Sequence, residues 1–252
     1  MLLRIFDFTA DTYAWYVEMY IGLFLLIPFL NIIWNNLEEN QRKYLIITML
    51  ILTSVPSIFN CWDFLQLGDR SYSEFMPNYW EVTYPITYYF LGAYLKDVKQ
   101  KGSMLKDGIL LLVTTILFGM FSYFRSFGGT YEWIDYNSFE GIQPVITTFL
   151  IFRLLLAIPT ENMPDVIKKG VFQIAHLAFG IYLASNISDK IVAHFLPGRL
   201  PDTIEKMNWL PVSILCSFVI SLVISLIVNG IYDIVEKTLS IAYRKIKTPQ
   251  IH

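Results

Sequence analysis

The chain has 252 residues, of which 55% are hydrophobic, 16% aromatic and only 16% charged, and its formal net charge is -2. Soluble domains carry about 45–50% apolar and about 25% charged residues, so a water-soluble globule is excluded, and the near-neutral balance gives no reason to expect a nucleic-acid partner. The two cysteines, Cys61 and Cys216, show no metal-ligand spacing and do not suggest a disulfide framework.

Met1 to Tyr16, "MLLRIFDFTADTYAWY", carries Asp7 and Asp11 and no small-residue cleavage site, so no cleavable signal is expected. A helix needs about 20 mostly apolar residues to cross the hydrocarbon core. Seven segments approach that requirement: 14–34, 44–62, 79–95, 108–123, 139–158, 171–191 and 209–232. Long runs such as "SFVISLVISLIVNGIY" do not alternate as a barrel strand would, and unpaired backbone is not tolerated in lipid. The expected fold is all-α, one multi-pass transmembrane bundle of about seven helices over residues 1–252, with no inserted soluble domain.

In the first span, "AWYVEMYIGLFLLIP", Glu18 lies one turn in, behind Trp15 and Tyr16. It is either an interfacial anchor or a bundle-facing functional group. In the third, "YWEVTYPITYYFLGAYLKD", Trp80, Tyr84 and Tyr88 share one stripe, and Pro85 is expected to bend the helix. In the fifth, "FLIFRLLLAIP", Arg153 stands near the inner end, where its stem can snorkel to the surface. In the sixth, Gln173, His176 and Gly180 share a face, with Ser185 and Asp189 as a second polar patch. Such a stripe lines a cavity or bonds a neighbouring helix.

The loops set orientation. Arg42 and Lys43, then Lys96, Lys99, Lys101 and Lys106, then Lys168 and Lys169, and the C-terminal Lys237, Arg244, Lys245 and Lys247 fall on one side. Arg70, Arg125, Arg199 and Lys206 fall on the other. The positive-inside rule then expects the N-terminus outside and the C-terminus in the cytoplasm. The outer loops are rich in aromatic residues, which suits the membrane interface or a stacking surface for a sugar-like or head-group ligand. No phosphate loop, dinucleotide fingerprint, nucleophile elbow or HExxH pair is present.

Three segments together resemble membrane-bound acyltransferase family 3, whose members O-acylate sugars and cell-envelope polymers. They are the first span quoted above, "YPITYYFLGAYLKD" with Tyr89, Phe90, Leu91, Gly92, Tyr94 and Leu95, and "HLAFGIYLASNI" with Phe179 to Leu183. The resemblance implies transfer of an acyl group, acetyl first, from a cytoplasmic acyl-CoA donor to hydroxyls of an exported polysaccharide in the bacterial plasma membrane. No bound cofactor or metal is implied. It also implies pocket walls at Trp15, Tyr16, Glu18, Tyr89, Tyr94 and Arg125.

The family's first helix carries an arginine with a histidine some ten residues on, and no arginine here has one. Its late segment continues into Ile-His, where this chain has Ala184 and Ser185. His176 is the nearest substitute for a catalytic base. The expectation is therefore the family's C-terminal seven helices without the catalytic start, which would also account for an N-terminus outside. The alternatives are a non-catalytic remnant, a half-protein completed by separate N-terminal helices or a partner protein, or a bundle that binds or transports glycans or lipids. Expected partners are membrane lipid and a glycan acceptor, with no nucleic acid.

Overall fold

A computed structural model describes residues 15–61, 75–97, 103–125, 138–161, 163–195 and 203–247. The described residues form helices joined by short turns, with no strand among them, in agreement with the expected all-α membrane bundle. The helices are α1 (Trp15–Asn36), α2 (Glu39–Thr53), α3 (Pro56–Phe59), α4 (Tyr84–Asp97), α5 (Met104–Arg125), α6 (Ile142–Ala157), α7 (Asp165–Phe195), α8 (Thr203–Asn208) and α9 (Leu210–Lys247). A single 3-10 turn, Glu81–Thr83, precedes α4.

Each of the seven expected spans finds its helix, and five are long and apolar enough to cross a membrane: Trp15–Asn36, Glu39–Phe59, Met104–Phe124, Asp165–Phe195 and Leu210–Ser240. The other two, α4 with 14 residues and α6 with 16, are shorter. At about 1.5 Å per residue they fall short of a hydrocarbon core of about 30 Å. Most large apolar side chains outside the core are exposed, Phe24, Leu25, Leu112 and Phe172 among them. A soluble monomer does not carry so much apolar surface, whereas a lipid-facing one must.

Three boundaries differ from the sequence reading, each for a local reason. The second span breaks at Ser54–Val55, because Pro56 opens α3 and has no N–H to continue α2. Pro85 does not bend α4. The helix begins at Tyr84, so the proline lies in the first turn, where its missing N–H is no loss. Trp80 is left ahead of the 3-10 turn, off the helix that carries Tyr84 and Tyr88. Finally, α7 and α9 run to 31 and 38 residues, because helix formers, Lys168 and Lys169 on α7 and Glu236, Lys237, Arg244 and Lys245 on α9, continue them past the apolar stretch.

The chain divides into two units, Glu18–Thr160 and the pairing of Met1–Val17 with Glu161–His252. In the first unit the core is Leu30, Trp34, Ile46, Phe90, Leu91 and Val145. Trp34 and Phe90 stack with ring centroids 5.8 Å apart and planes at 26°. Such a pair contributes roughly 0.5–1.5 kcal/mol beyond its buried area.

In the second unit α7 and α9 pack through small residues. Gly180, Ala184 and Ser188 recur every fourth residue on α7, as do Ser217, Ser221 and Ser225 on α9. Ser221 Oγ donates to Ser188 Oγ at 2.9 Å, Ser225 Oγ donates to the Leu177 carbonyl at 3.3 Å, and Ser217 donates to Asp189. Lipid removes the hydrophobic force between helices, so close backbone approach and such hydrogen bonds hold them. Of the polar groups expected on this helix, Gly180 and Asp189 therefore serve α9. Ser185 bonds back to its own Tyr182 carbonyl at 2.7 Å, and Gln173 and His176 are exposed.

Candidate functional site

The first unit has two chemically distinct ends. At one end the close of α4, the starts of α2 and α5, and the close of α6 meet around three ion pairs. Trp34 Nε1 and Arg42 Nη1 both donate to Asp97 Oδ2 at 2.9 Å. Arg42 Nε also donates to the Trp34 carbonyl at 3.1 Å, and its guanidinium lies 5.0 Å from the Trp34 ring centre. Lys43 Nζ pairs with Glu39 one turn back at 2.6 Å. Arg153 Nη2 reaches Asp107 Oδ1 at 3.0 Å. Asp107 is 2% exposed and its second carboxylate oxygen is buried with no hydrogen-bond partner. A carboxylate so placed depends on its arginine, because an unpaired charge in low dielectric is costly.

The opposite end is held by hydroxyl and amide hydrogen bonds. Thr53 Oγ1 lies 3.0 Å from Thr87 Oγ1 and donates to the Met49 carbonyl at 2.8 Å. Ser57 donates to the Ser54 carbonyl at 2.6 Å and accepts from Ile142 N at 3.2 Å, so α3 receives the N-terminus of α6. Asn60 Oδ1 accepts from Phe75 N and Met76 N at 2.9 and 2.8 Å. These bonds close the break at Pro56 and set the positions of α2, α4 and α6.

Between the two ends lies an apolar cleft of about 510 Å³. Its walls are Ile46 and Leu50 of α2, Leu91 of α4, Leu110 of α5, and Val145 and Leu150 of α6, among others. Its polar lining is Lys43, Tyr94, Thr114 and Arg153. Ligand clefts of about 300–1,000 Å³ with few convergent polar groups are the usual small-molecule sites. Chemically, this one can take up a hydrocarbon segment and hold a negative charge at the mouth.

The residues expected from sequence to form the site are distributed rather than gathered. Tyr94 lines the cleft. Tyr89 turns to α1 and donates to Asn31 Oδ1 at 2.7 Å. Glu18 is exposed in the first turn of α1. Trp15 and Tyr16 belong to the other unit, where the Tyr16 ring lies 4.7 Å from that of Tyr182. Arg125 ends α5 and its side chain lies outside the described residues. His176 is exposed on α7.

Sequence reasoning missed Asp107, the partner that gives Arg153 a role beyond snorkelling. The available signal was a pair of opposite charges bordering apolar runs, "KDGILLLV" and "FLIFRLLL". It also treated Lys43 only as a marker of orientation.

The segments that carry the family resemblance have structural uses that follow from these contacts. Phe90 stacks on Trp34, Tyr94 lines the cleft, Gly180 lets α9 approach, and Tyr182 meets Tyr16. Comparison with family models gives one described as an acyltransferase domain, matching residues 2–230. No curated protein and no solved structure matches the chain. With a match running through both units and an all-helical body bearing five apolar helices of membrane-crossing length, the chain belongs to acyltransferase family 3 and is a membrane acyltransferase by family.

Proposed function

We propose that the protein is an integral-membrane O-acyltransferase of the bacterial plasma membrane, moving an acyl group from acyl-CoA to hydroxyls of an exported polysaccharide. The observation that carries this reading is the family match over residues 2–230. In the reaction the acceptor oxygen attacks the thioester carbonyl, its proton passes to a base, the C–S bond breaks, and coenzyme A leaves as the thiol. The ion-paired end of the first unit, which bears Arg42, Lys43 and Arg153, suits the cytoplasmic side that supplies the donor. Trp15, Tyr16, Glu18, Tyr89, Tyr94 and Arg125 remain the candidate substrate contacts that the family resemblance implies.

The test is acyl transfer by the full chain in membranes, with radiolabelled acetyl-CoA and envelope polysaccharide. Alkali-labile label on the glycan supports the reading. Glycan that stays unlabelled over a time course in which a homologous acyltransferase labels it removes it.

A second reading rests on one sequence observation. No histidine precedes His176, so the unit that holds the cleft has no imidazole to act as base. On this reading the chain binds substrate, and a partner polypeptide carrying the family's Arg-to-His helix supplies the proton acceptor. Transfer that appears only when such a polypeptide is co-expressed favours it, and transfer by the chain alone excludes it.

A further inference from the structure

We propose that the cleft of the first unit holds one acyl chain of an anionic membrane phospholipid, with the lipid phosphate seated on Lys43 and Arg153. The inference concerns a resident lipid and stands whether or not the chain transfers acyl groups.

The cleft's lining has cations without anions. Lys43 and Arg153 reach into it, while their partners Glu39 and Asp107 do not line it. A guanidinium carries five N–H donors in a planar fork, and the bond to Asp107 engages one side of it. The side chains of Lys43 and Arg153 are 44% and 37% exposed, so both can meet an anion at the mouth. Tyr94 adds a hydroxyl there. Beyond them the walls are aliphatic or aromatic, broken only by Thr114.

The shape selects among occupants. A two-carbon acyl group would leave most of about 510 Å³ of apolar wall unfilled. A coenzyme A thioester would bring a nucleotide with several phosphates to a mouth that offers two cations. A phospholipid matches both ends, one chain against the walls and one phosphate against the pair. It also has a way in, because Ile47 and Leu110 on the rim are exposed on helices long and apolar enough to cross a membrane.

The experiment is native mass spectrometry of the full chain, titrated in micelles with dioleoyl phosphatidylglycerol. Dioleoyl phosphatidylcholine, glycerol phosphate and oleoyl-CoA serve as separate competing arms. One phosphatidylglycerol per chain is expected, held at least about fivefold tighter than phosphatidylcholine, since each surface cation favours an anionic lipid by about that factor. Lys43→Gln removes about fivefold from phosphatidylglycerol alone, and Leu110→Trp, which fills the rim, weakens both lipids. Arg153 is left intact in these variants because it holds Asp107. Equal retention of the two lipids, an inert Lys43→Gln, displacement by glycerol phosphate, or preference for oleoyl-CoA would each overturn the proposal, the last by assigning the cleft to the acyl donor.

Discussion

The approach of α7 to α9 at Gly180 gives the sharpest prediction, because two opposing effects can be weighed there. In an isolated helix, Gly→Ala is favourable by about 1 kcal/mol. In this structure a Cβ at Gly180 would lie 2.3 Å from Ser225 Oγ and 3.3 Å from Ser225 Cβ. The hydroxyl can rotate away, giving up its bond to the Leu177 carbonyl, which for an interhelical bond in a membrane is worth about 0.6 kcal/mol. The Cβ contact cannot rotate away, so the helices must part by a few tenths of an ångström, and overpacking of that kind costs about 1–3 kcal/mol. Gly180→Ala should therefore destabilise the full chain by about 1–2 kcal/mol despite the better propensity. Ser225→Ala should cost about 0.6 kcal/mol alone. The double variant should be less destabilised than the sum, because the alanine at 225 removes the shorter contact. The assay is reversible unfolding in mixed micelles, by titration with dodecyl sulfate and circular dichroism, for the two singles and the double. A Gly180→Ala chain that gains about 1 kcal/mol, with Ser225→Ala simply additive, would refute the close approach and leave only helix propensity at work.

Other predictions follow from the polar contacts of the first unit. Arg153→Ala strands the buried Asp107 carboxylate and should lose about 3 kcal/mol, the low end for a broken buried pair since Arg153 is partly exposed. Adding Asp107→Asn should recover much of it in the same unfolding assay, and a double variant no better than the single would sink the pairing. Trp34→Phe keeps the stack on Phe90 but removes the indole donor to Asp97. A loss of about 1.5–3 kcal/mol is expected, as for a hydrogen bond to a charged group, and no measurable change in the melting midpoint would count against it. Thr87→Val should be mild, under about 1 kcal/mol, because Thr53 keeps its bond to the Met49 carbonyl when the Thr87 hydroxyl goes; a larger loss would mean that the hydroxyl pair carries that end.

How far the sequence discloses this protein depends on the range of the physics involved. Hydropathy over about 20 residues is a local property, and every expected span found a helix because lipid leaves the backbone no other choice. Proline is equally local, and both Pro56 and Pro85 stand in the first turn of a helix; they differ because α2 runs into Pro56 and is broken there, whereas only a 3-10 turn precedes Pro85. The candidate site was less legible because it is made by pairs that are distant in sequence. Asp107 and Arg153 are 46 residues apart, and Trp34 and Asp97 are 63 apart. Each half, viewed alone, is an ordinary charge or aromatic residue near the end of a helix. The aromatic residues chosen for an acceptor surface show the converse error of scale. Tyr89 and Tyr94 lie five apart in one segment, but at 100° per residue they point to different neighbours, Asn31 for one and the cleft for the other. A family segment read as a unit is thus divided by the helix among a core stack at Phe90, a bond to α1 at Tyr89 and a cleft wall at Tyr94. A substitution in it should be judged by the neighbour it faces rather than by the segment it belongs to.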